Sequence, residues 1–276
     1  MAADTGALNS QAVPLLDVES LCIDYVTPGR APAHAVVDLS FQLRRGEVMG
    51  LVGESGCGKS TLALALMRLL PAAGRITHGT IRLQGADLLA LGERELAEYR
   101  WQRIAMVFQG AMNALNPVRT IGDQIAEAIR LHATVPNEQI AGRVGELLDL
   151  VGIAANRQDQ YPFQYSGGMR QRAMIAMALA CNPDIIIADE PTTALDVMIQ
   201  AQILDLLASL QRQLGLAIIL VTHDLGIVAE LCDRVLVMYG GMTAEQADVD
   251  TVFNAPRLPY TQERLKAFPD PSRLQA

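Results

Sequence analysis

Apolar positions along the chain follow two periods, and the switches between them outline its elements. Leu15–Val26 and Ala35–Leu43 read as strands, separated by a loop carrying Pro28, Gly29 and Pro32. Val48–Gly53 is a short, wholly apolar strand, and Ser60–Leu70 reads as a helix stopped by Pro71. Ile76–Leu83 and Ile104–Phe108 read as further strands. From Ile121 to about Gly152 the period becomes helical, through Ile121, Ile125, Ile129, Ile140, Val144, Leu147, Leu148 and Val151. Met169–Ala180 is rich in Ala and Met without Gly or Pro, which favours helix. Ile185–Ala188 is an unbroken apolar run of the kind a doubly covered parallel sheet needs. Helix Val197–Leu214, strand Ala217–Val221, helix Leu225–Cys232 and strand Val235–Met238 complete the order. Alternating strands and helices imply an α/β fold with a parallel-sheet core. The stretch 98–180 reads as a helical subdomain inserted into it, within a domain spanning 15–255. Residues 256–276 read as a short C-terminal extension and 1–14 as a flexible N-terminus.

Composition narrows the class. Half of the 276 residues are hydrophobic, enough for a large core, yet runs such as Leu214–Val221 are far too short to span a bilayer. Met1–Pro14 shows no basic segment followed by an apolar block, so a cytosolic protein is expected. Cys22, Cys57, Cys181 and Cys232 are too scattered for a metal knuckle, and separate reduced thiols are expected. A net charge of −8 and a pI of about 5.0 disfavour a nucleic-acid partner. The chain has two lysines, Lys59 and Lys266, and the first lies where phosphate chemistry would place one.

Gly53-Glu54-Ser55-Gly56-Cys57-Gly58-Lys59-Ser60 fits G-x-x-x-x-G-K-[ST] between a predicted strand and a predicted helix. Its backbone N–H groups would ring the phosphates of a nucleotide, Lys59 would add a point charge, and Ser60 a hydroxyl for Mg²⁺. Cys57 fills a free position, for packing, although the lysine and the helix N-terminus could lower its pKa. Ile185–Ala188 ends in Asp189-Glu190. Asp189 would hold Mg²⁺, directly or through water, and Glu190 would polarise the attacking water. His223 ends a third core strand, where it could contact a γ-phosphate, and Gln109 follows strand Ile104–Phe108, where it could reach Mg²⁺ or the water. Tyr165-Ser166-Gly167-Gly168-Met169-Arg170-Gln171-Arg172 opens a helix with Ser166 as N-cap, an anion-binding arrangement; alone it reads equally as a Gly-Gly turn before a buried helix.

With these residues together, the chain resembles an ATP-binding cassette ATPase over about residues 15–270. The resemblance makes Gly53–Thr61 the Walker A element, Ile185–Glu190 Walker B, Gln109 the Q-loop, Ala194-Leu195-Asp196 the D-loop and His223 the switch histidine. Ser166-Gly167-Gly168 belongs to the family signature, and Tyr25 lies where the family stacks an aromatic on adenine; a strand-face aromatic is the other reading. The resemblance implies a P-loop NTPase with an antiparallel β subdomain and an inserted helical subdomain. Catalytic roles fall on Glu190, His223 and Gln109, and Mg²⁺ on Ser60, Gln109 and Asp189. Nucleotide contacts fall on Tyr25, Gly53, Ser55, Gly56, Cys57, Gly58, Lys59, Ser60, Thr61, Ser166, Gly167, Gly168 and Asp196.

Within that family the chain is similar to the ATPases of bacterial dipeptide, oligopeptide and nickel importers, through Met106–Gln109, Leu115–Pro117, Ser166–Arg172, Asp189–Val197 and Pro259-Tyr260-Thr261. The implied assembly is two ATPase subunits head to tail, identical or paralogous, two membrane permease subunits and an extracytoplasmic solute-binding protein. The chain would then lie peripherally on the cytoplasmic face of the inner membrane. Peptide import is expected, with nickel or another small solute as the alternative. A cassette acting on DNA or ribosomes would show long coiled-coil insertions, two cassettes or a basic surface. A non-hydrolysing regulatory module would not carry the Asp189-Glu190-His223 set, and exporters commonly fuse the cassette to membrane helices. Tyr165 stands where Leu is usual, Gly110-Ala111 where Asp-Pro is common, and Leu258 where His is usual. No Cys follows Cys232, so the iron–sulfur cluster of many peptide-importer ATPases is not expected.

Overall fold

Runs with no polar residue require cover on both faces, and the chain provides it. The structure is a computed structural model that describes residues 13–110, 114–133, 135–193 and 195–266. A six-stranded sheet has the order β10-β9-β3-β8-β7-β6, formed by β3 (Val48–Gly53), β6 (Ile104–Val107), β7 (Ile185–Asp189), β8 (Ala217–Thr222), β9 (Arg234–Tyr239) and β10 (Met242–Asp248). All its pairs are parallel except β9 with the edge strand β10. Alternate side chains point to opposite faces. On β7, Ile186 and Ala188 enter the cluster under the helical layer, while Ile185 and Ile187 enter the cluster on the other face.

That second face is covered by α1 (Lys59–Leu66) and an antiparallel sheet of order β2-β1-β4-β5, from β1 (Leu16–Tyr25), β2 (Ala33–Leu43), β4 (Gly74–Leu83) and β5 (Ala86–Asp87). The opposite layer holds α3 (Ile121–His132), α4 (Asn137–Leu150), α5 (Gly167–Ala178) and α6 (Val197–Leu214). A third cluster joins Val52 on β3 to α7 (Leu225–Leu231) and α8 (Val249–Asn254). No helix of the described residues is long and apolar enough to cross a membrane.

Several elements differ from the sequence reading, each for a physical reason. Helix α1 ends at Leu66, before the expected Leu70, because Arg68 turns left-handed (φ 50°). The Leu69 and Arg68 N–H groups then donate to the Leu64 and Ala65 carbonyls, a Schellman-type stop without glycine. The Arg68 guanidinium holds this turn by donating to the carbonyls of Leu88 and Leu91. The helical period of 121–152 is broken around Pro136 into α3 and α4; it looked continuous because both helices face one cluster. The stretch 98–180 contains β6, which pairs with β7 in the core sheet, so the helical layer begins after that strand. The polar elements α2 (Glu93–Tyr99), β10 and α9 (Pro259–Lys266) escape a hydrophobic-period reading altogether. Residues 1–12 and 267–276 of the expected terminal segments lie outside the described residues.

One buried amide fixes the segment after β6. Gln124 on α3 is nearly inaccessible; its Nε2 donates to the carbonyls of Asn116, Arg119 and Thr120, and its Oε1 accepts from the Asn116 N–H. Gln124→Leu should therefore destabilise the fold by about 2 kcal/mol in urea unfolding. Amide exchange should quicken at 115–120 before it does in the sheet.

Candidate functional site

The parallel sheet delivers four chain segments to one edge. β3, β8, β7 and β6 are consecutive neighbours and run the same way, so Gly53, His223, Glu190 and Gln109 all follow strand C-terminal ends, the edge where α/β sheets bind ligands.

The turn from β3 into α1 makes a cradle. Gly58 has φ 104°, and a Cβ there would strike the Ala35 carbonyl, so no other residue fits. The Lys59 ammonium is buried and donates to the carbonyls of Gly53 (2.9 Å) and Glu54 (2.8 Å). A cleft of about 190 Å³ opens above, lined by Ser55, Gly56, Gly58, Lys59, Ser60, Thr61, Gln109 and Glu190. The N–H groups at the start of α1 and its dipole favour an anion there. Tyr25 reaches the same helix, its hydroxyl 3.2 Å from Thr61 Oγ1. Gly53 and Cys57 are not in the lining. Cys57 is buried against the core, and its carbonyl accepts from the Gly241 N–H, which favours its packing role.

Opposite the cradle stand the acids. Ser60 Oγ donates to Asp189 Oδ1 at 3.3 Å. Burial pushes the Asp189 carboxyl above its usual range, as does Glu190, while the Ser60 hydrogen bond and Lys59 pull it down. A hydroxyl and a carboxylate are hard oxygen donors, and together they fit Mg²⁺, which takes one or two protein oxygens plus substrate phosphates. Glu190 sits at φ 45°, a conformation uncommon outside glycine, with its N–H fixed on the Val221 carbonyl. Its carboxylate is held on both oxygens. Oε2 accepts from Gln109 Nε2 (2.7 Å) and Thr193 Oγ1 (2.9 Å), and Oε1 lies 3.2 Å from His223 Nδ1. Thr193 is the contact that sequence reading missed; its signal is a hydroxyl three residues past the acid. The His223 side chain is 67% exposed.

The stretch 165–172 lies elsewhere. Ser166 caps α5 by accepting from the Met169 N–H (3.3 Å). Ser166, Gly167 and Gly168 do not line the cleft at Lys59. The resemblance makes Gly168 a nucleotide contact; within this chain its neighbour is a side chain, since a Cβ there would lie 2.6 Å from Ile199 Cγ2 on α6. Gly167 likewise faces Leu195, and Asp196 is exposed and caps α6 through the Ile199 N–H (3.0 Å). Tyr165 is explained by packing. It is buried, its hydroxyl donates to the Arg157 carbonyl (3.1 Å), and the Arg157 guanidinium lies 5.3 Å over its ring. Burial also raises its pKa. Ala111 and Ala194 lie outside the described residues.

The four thiols are unpaired, and burial pushes Cys181 to about 11 and Cys232 to about 12, leaving both protonated.

Known proteins are similar to this chain in sequence and fold. A family model described as "ABC transporter" matches residues 36–193. A probable peptide ABC transporter ATP-binding protein of Sinorhizobium fredii is 48% identical over 96% of this chain and 80% of its own length. The dipeptide transport ATP-binding protein DppD of Escherichia coli is 46% identical over 93% of this chain and 79% of its own length. Among solved structures, the ATP-binding cassette MJ0796, dimeric and bound to ADP and Pi, superposes with a TM-score of 0.74 at 28% identity, covering 85% of this chain and 98% of that one. Structure cbiO1 from Clostridium perfringens, part of the ABC transporter complex cbiONQ, gives a TM-score of 0.76 at 29% identity over 92% and 99%. The chain belongs to the ABC transporter family, as an ATP-binding subunit.

Proposed function

We propose that this chain hydrolyses ATP to drive a peptide importer, with Glu190 as the general base and a second ATPase subunit completing each site. The observation that carries the reading is the Glu190 carboxylate, pinned by Gln109, Thr193 and His223 beside the Ser60–Asp189 pair. Lys59 and the N–H groups of α1 bind the β- and γ-phosphates, and Tyr25 offers its ring to the adenine. Ser60 and Asp189 would hold Mg²⁺, with Gln109 as a further candidate ligand. When bound, the ion neutralises charge developing on the phosphates. Glu190 orients a water and takes its proton as the water oxygen bonds to the γ-phosphorus and the bond to the bridging β-phosphate oxygen breaks, releasing ADP and phosphate. Two hydrogen bonds to Oε2 keep the carboxylate aimed, and His223 stands ready to hold the γ-phosphate.

The position of Ser166-Gly167-Gly168 supports the pairing. These residues form an anion-binding helix start that does not line the chain's own phosphate cleft, and MJ0796 was solved as a dimer. Turned toward a second subunit, the helix start of α5 would meet that subunit's γ-phosphate. Residues 15–255 form the working cassette in this reading. The substrate class follows the relatives, which are named for peptide, dipeptide and glutathione import. Permease subunits and a solute-binding protein then make the contact with peptide. A reconstituted complex whose ATPase rises with peptide-loaded binding protein, and stays at its basal rate with nickel-loaded protein, supports peptide import; the reverse pattern refutes it.

Glu190→Gln should lower ATP turnover by roughly 10²–10⁴-fold while ATP binding persists; near-normal turnover would remove Glu190 from the role. Asp189→Asn separates function from stability. Because burial raises the Asp189 pKa, the folded state binds its proton more tightly than the unfolded state does. The ionised carboxylate therefore costs stability, increasingly as pH rises from the unfolded-state pKa through the raised folded-state one. The variant should melt higher than wild type without nucleotide at pH 7, while losing Mg²⁺-dependent turnover. A lower melting temperature would mean that Asp189 is kept for the fold.

A further inference from the structure

The described C-terminal segment closes back on the phosphate loop. Glu245 on β10 is a buried carboxylate that accepts from the N–H groups of Arg257 (2.9 Å) and Leu258 (3.4 Å). This clamp sets the start of α9. Tyr260 on α9 packs on Tyr239 at the end of β9, ring centroids 4.5 Å apart. Tyr260 and Leu265 also lie against the cluster containing Val52, the residue before Gly53. The Arg264 guanidinium donates to the Tyr260 hydroxyl (3.4 Å) and lies 5.9 Å over the Tyr260 ring. Its Nη1 is also 4.0 Å from Glu54 Oε1.

Glu54 occupies a free position of the phosphate loop, and its backbone carbonyl receives the Lys59 ammonium at 2.8 Å. Its carboxylate is therefore an anion on the loop that must admit a polyanion. Nothing in the loop's phosphate chemistry needs that charge, and a cation from another element faces it. Glu54 is 61% exposed and Arg264 21% exposed, so the pair is a screened one. A pair this exposed adds little to fold stability.

We infer that Arg264 on α9 is a positioning residue for ATP binding, offsetting the Glu54 carboxylate so that the phosphate loop accepts a triphosphate. The C-terminal helix is thereby coupled to nucleotide affinity through a contact outside the motif itself. The inference rests on the reading of residues 53–60 as the phosphate loop.

The test measures KM for ATP, kcat and melting temperature for Arg264→Gln, Arg264→Lys, Glu54→Gln and the Arg264→Gln/Glu54→Gln double variant, at low and high salt. Arg264→Gln should raise KM about three-fold at low salt with kcat unchanged, and the effect should shrink as salt screens it. Arg264→Lys should keep the wild-type KM. In the Glu54→Gln background Arg264→Gln should no longer change KM. An unchanged KM in Arg264→Gln, or an equal rise with and without the Glu54 carboxylate, overturns the inference. Should Arg264→Gln fail to fold, Glu54→Gln decides alone: a lowered KM supports the inference, and an unchanged or raised KM overturns it. Lys59→Ala separates the two readings. If it binds ATP as wild type does, the phosphate-loop assignment fails. If it loses ATP while the Arg264 and Glu54 variants behave as wild type, only the present inference fails.

Discussion

The parallel register of β3, β8 and β7 is the constraint on which the site depends. Val52 pairs with Thr222 and Asp189 with Val221, so the phosphate loop, His223 and Glu190 leave the sheet at one level. A slip of one residue would turn each strand's side chains to the other face. Asp189 would then leave Ser60, and Ile187 would leave the α1 side of the sheet. The register is enforced by burial on both faces, because alternate residues of β7 serve two different hydrophobic clusters. Core packing thus sets the level at which the segments carrying the site leave the sheet.

A second constraint acts at the far end of the helical layer. Gly168 lets α5 approach Ile199 on α6, and Asp196 caps α6 at the same place. The start of α5 and the start of α6 are therefore packed against each other. Thr193, only three residues before that cap, holds Glu190 through its hydroxyl.

Much of this was legible in the sequence, where the residues had no choice. The wholly apolar strands, the G-x-x-x-x-G-K-S loop and the acids ending Ile185–Ala188 each admit few structures, and Lys59, Asp189 and Glu190 stand where that reading placed them. What escaped depends on tertiary partners. The polar strand β10 forms because β9 offers it an edge, and α9 forms over Tyr239 and the Glu245 clamp. The left-handed Arg68 stops α1 through carbonyls twenty and more residues away. Gly168 could be read as a glycine that allows close approach, but only packing shows that Ile199 is what approaches. Tyr165 had no rationale in the sequence; the Arg157 carbonyl and guanidinium supply one.

The central claim is that each working site is divided between two chains, with Lys59 and Glu190 from one and Ser166 from the other. Mixing a Lys59→Ala chain with a Ser166→Arg chain and measuring ATP turnover tests this most directly. Each variant alone should be inactive, and the mixture should regain activity, because a mixed pair contains one site with both halves intact. A mixture as inactive as its components, or a Ser166→Arg chain that turns over ATP unaided at the wild-type rate, would contradict it.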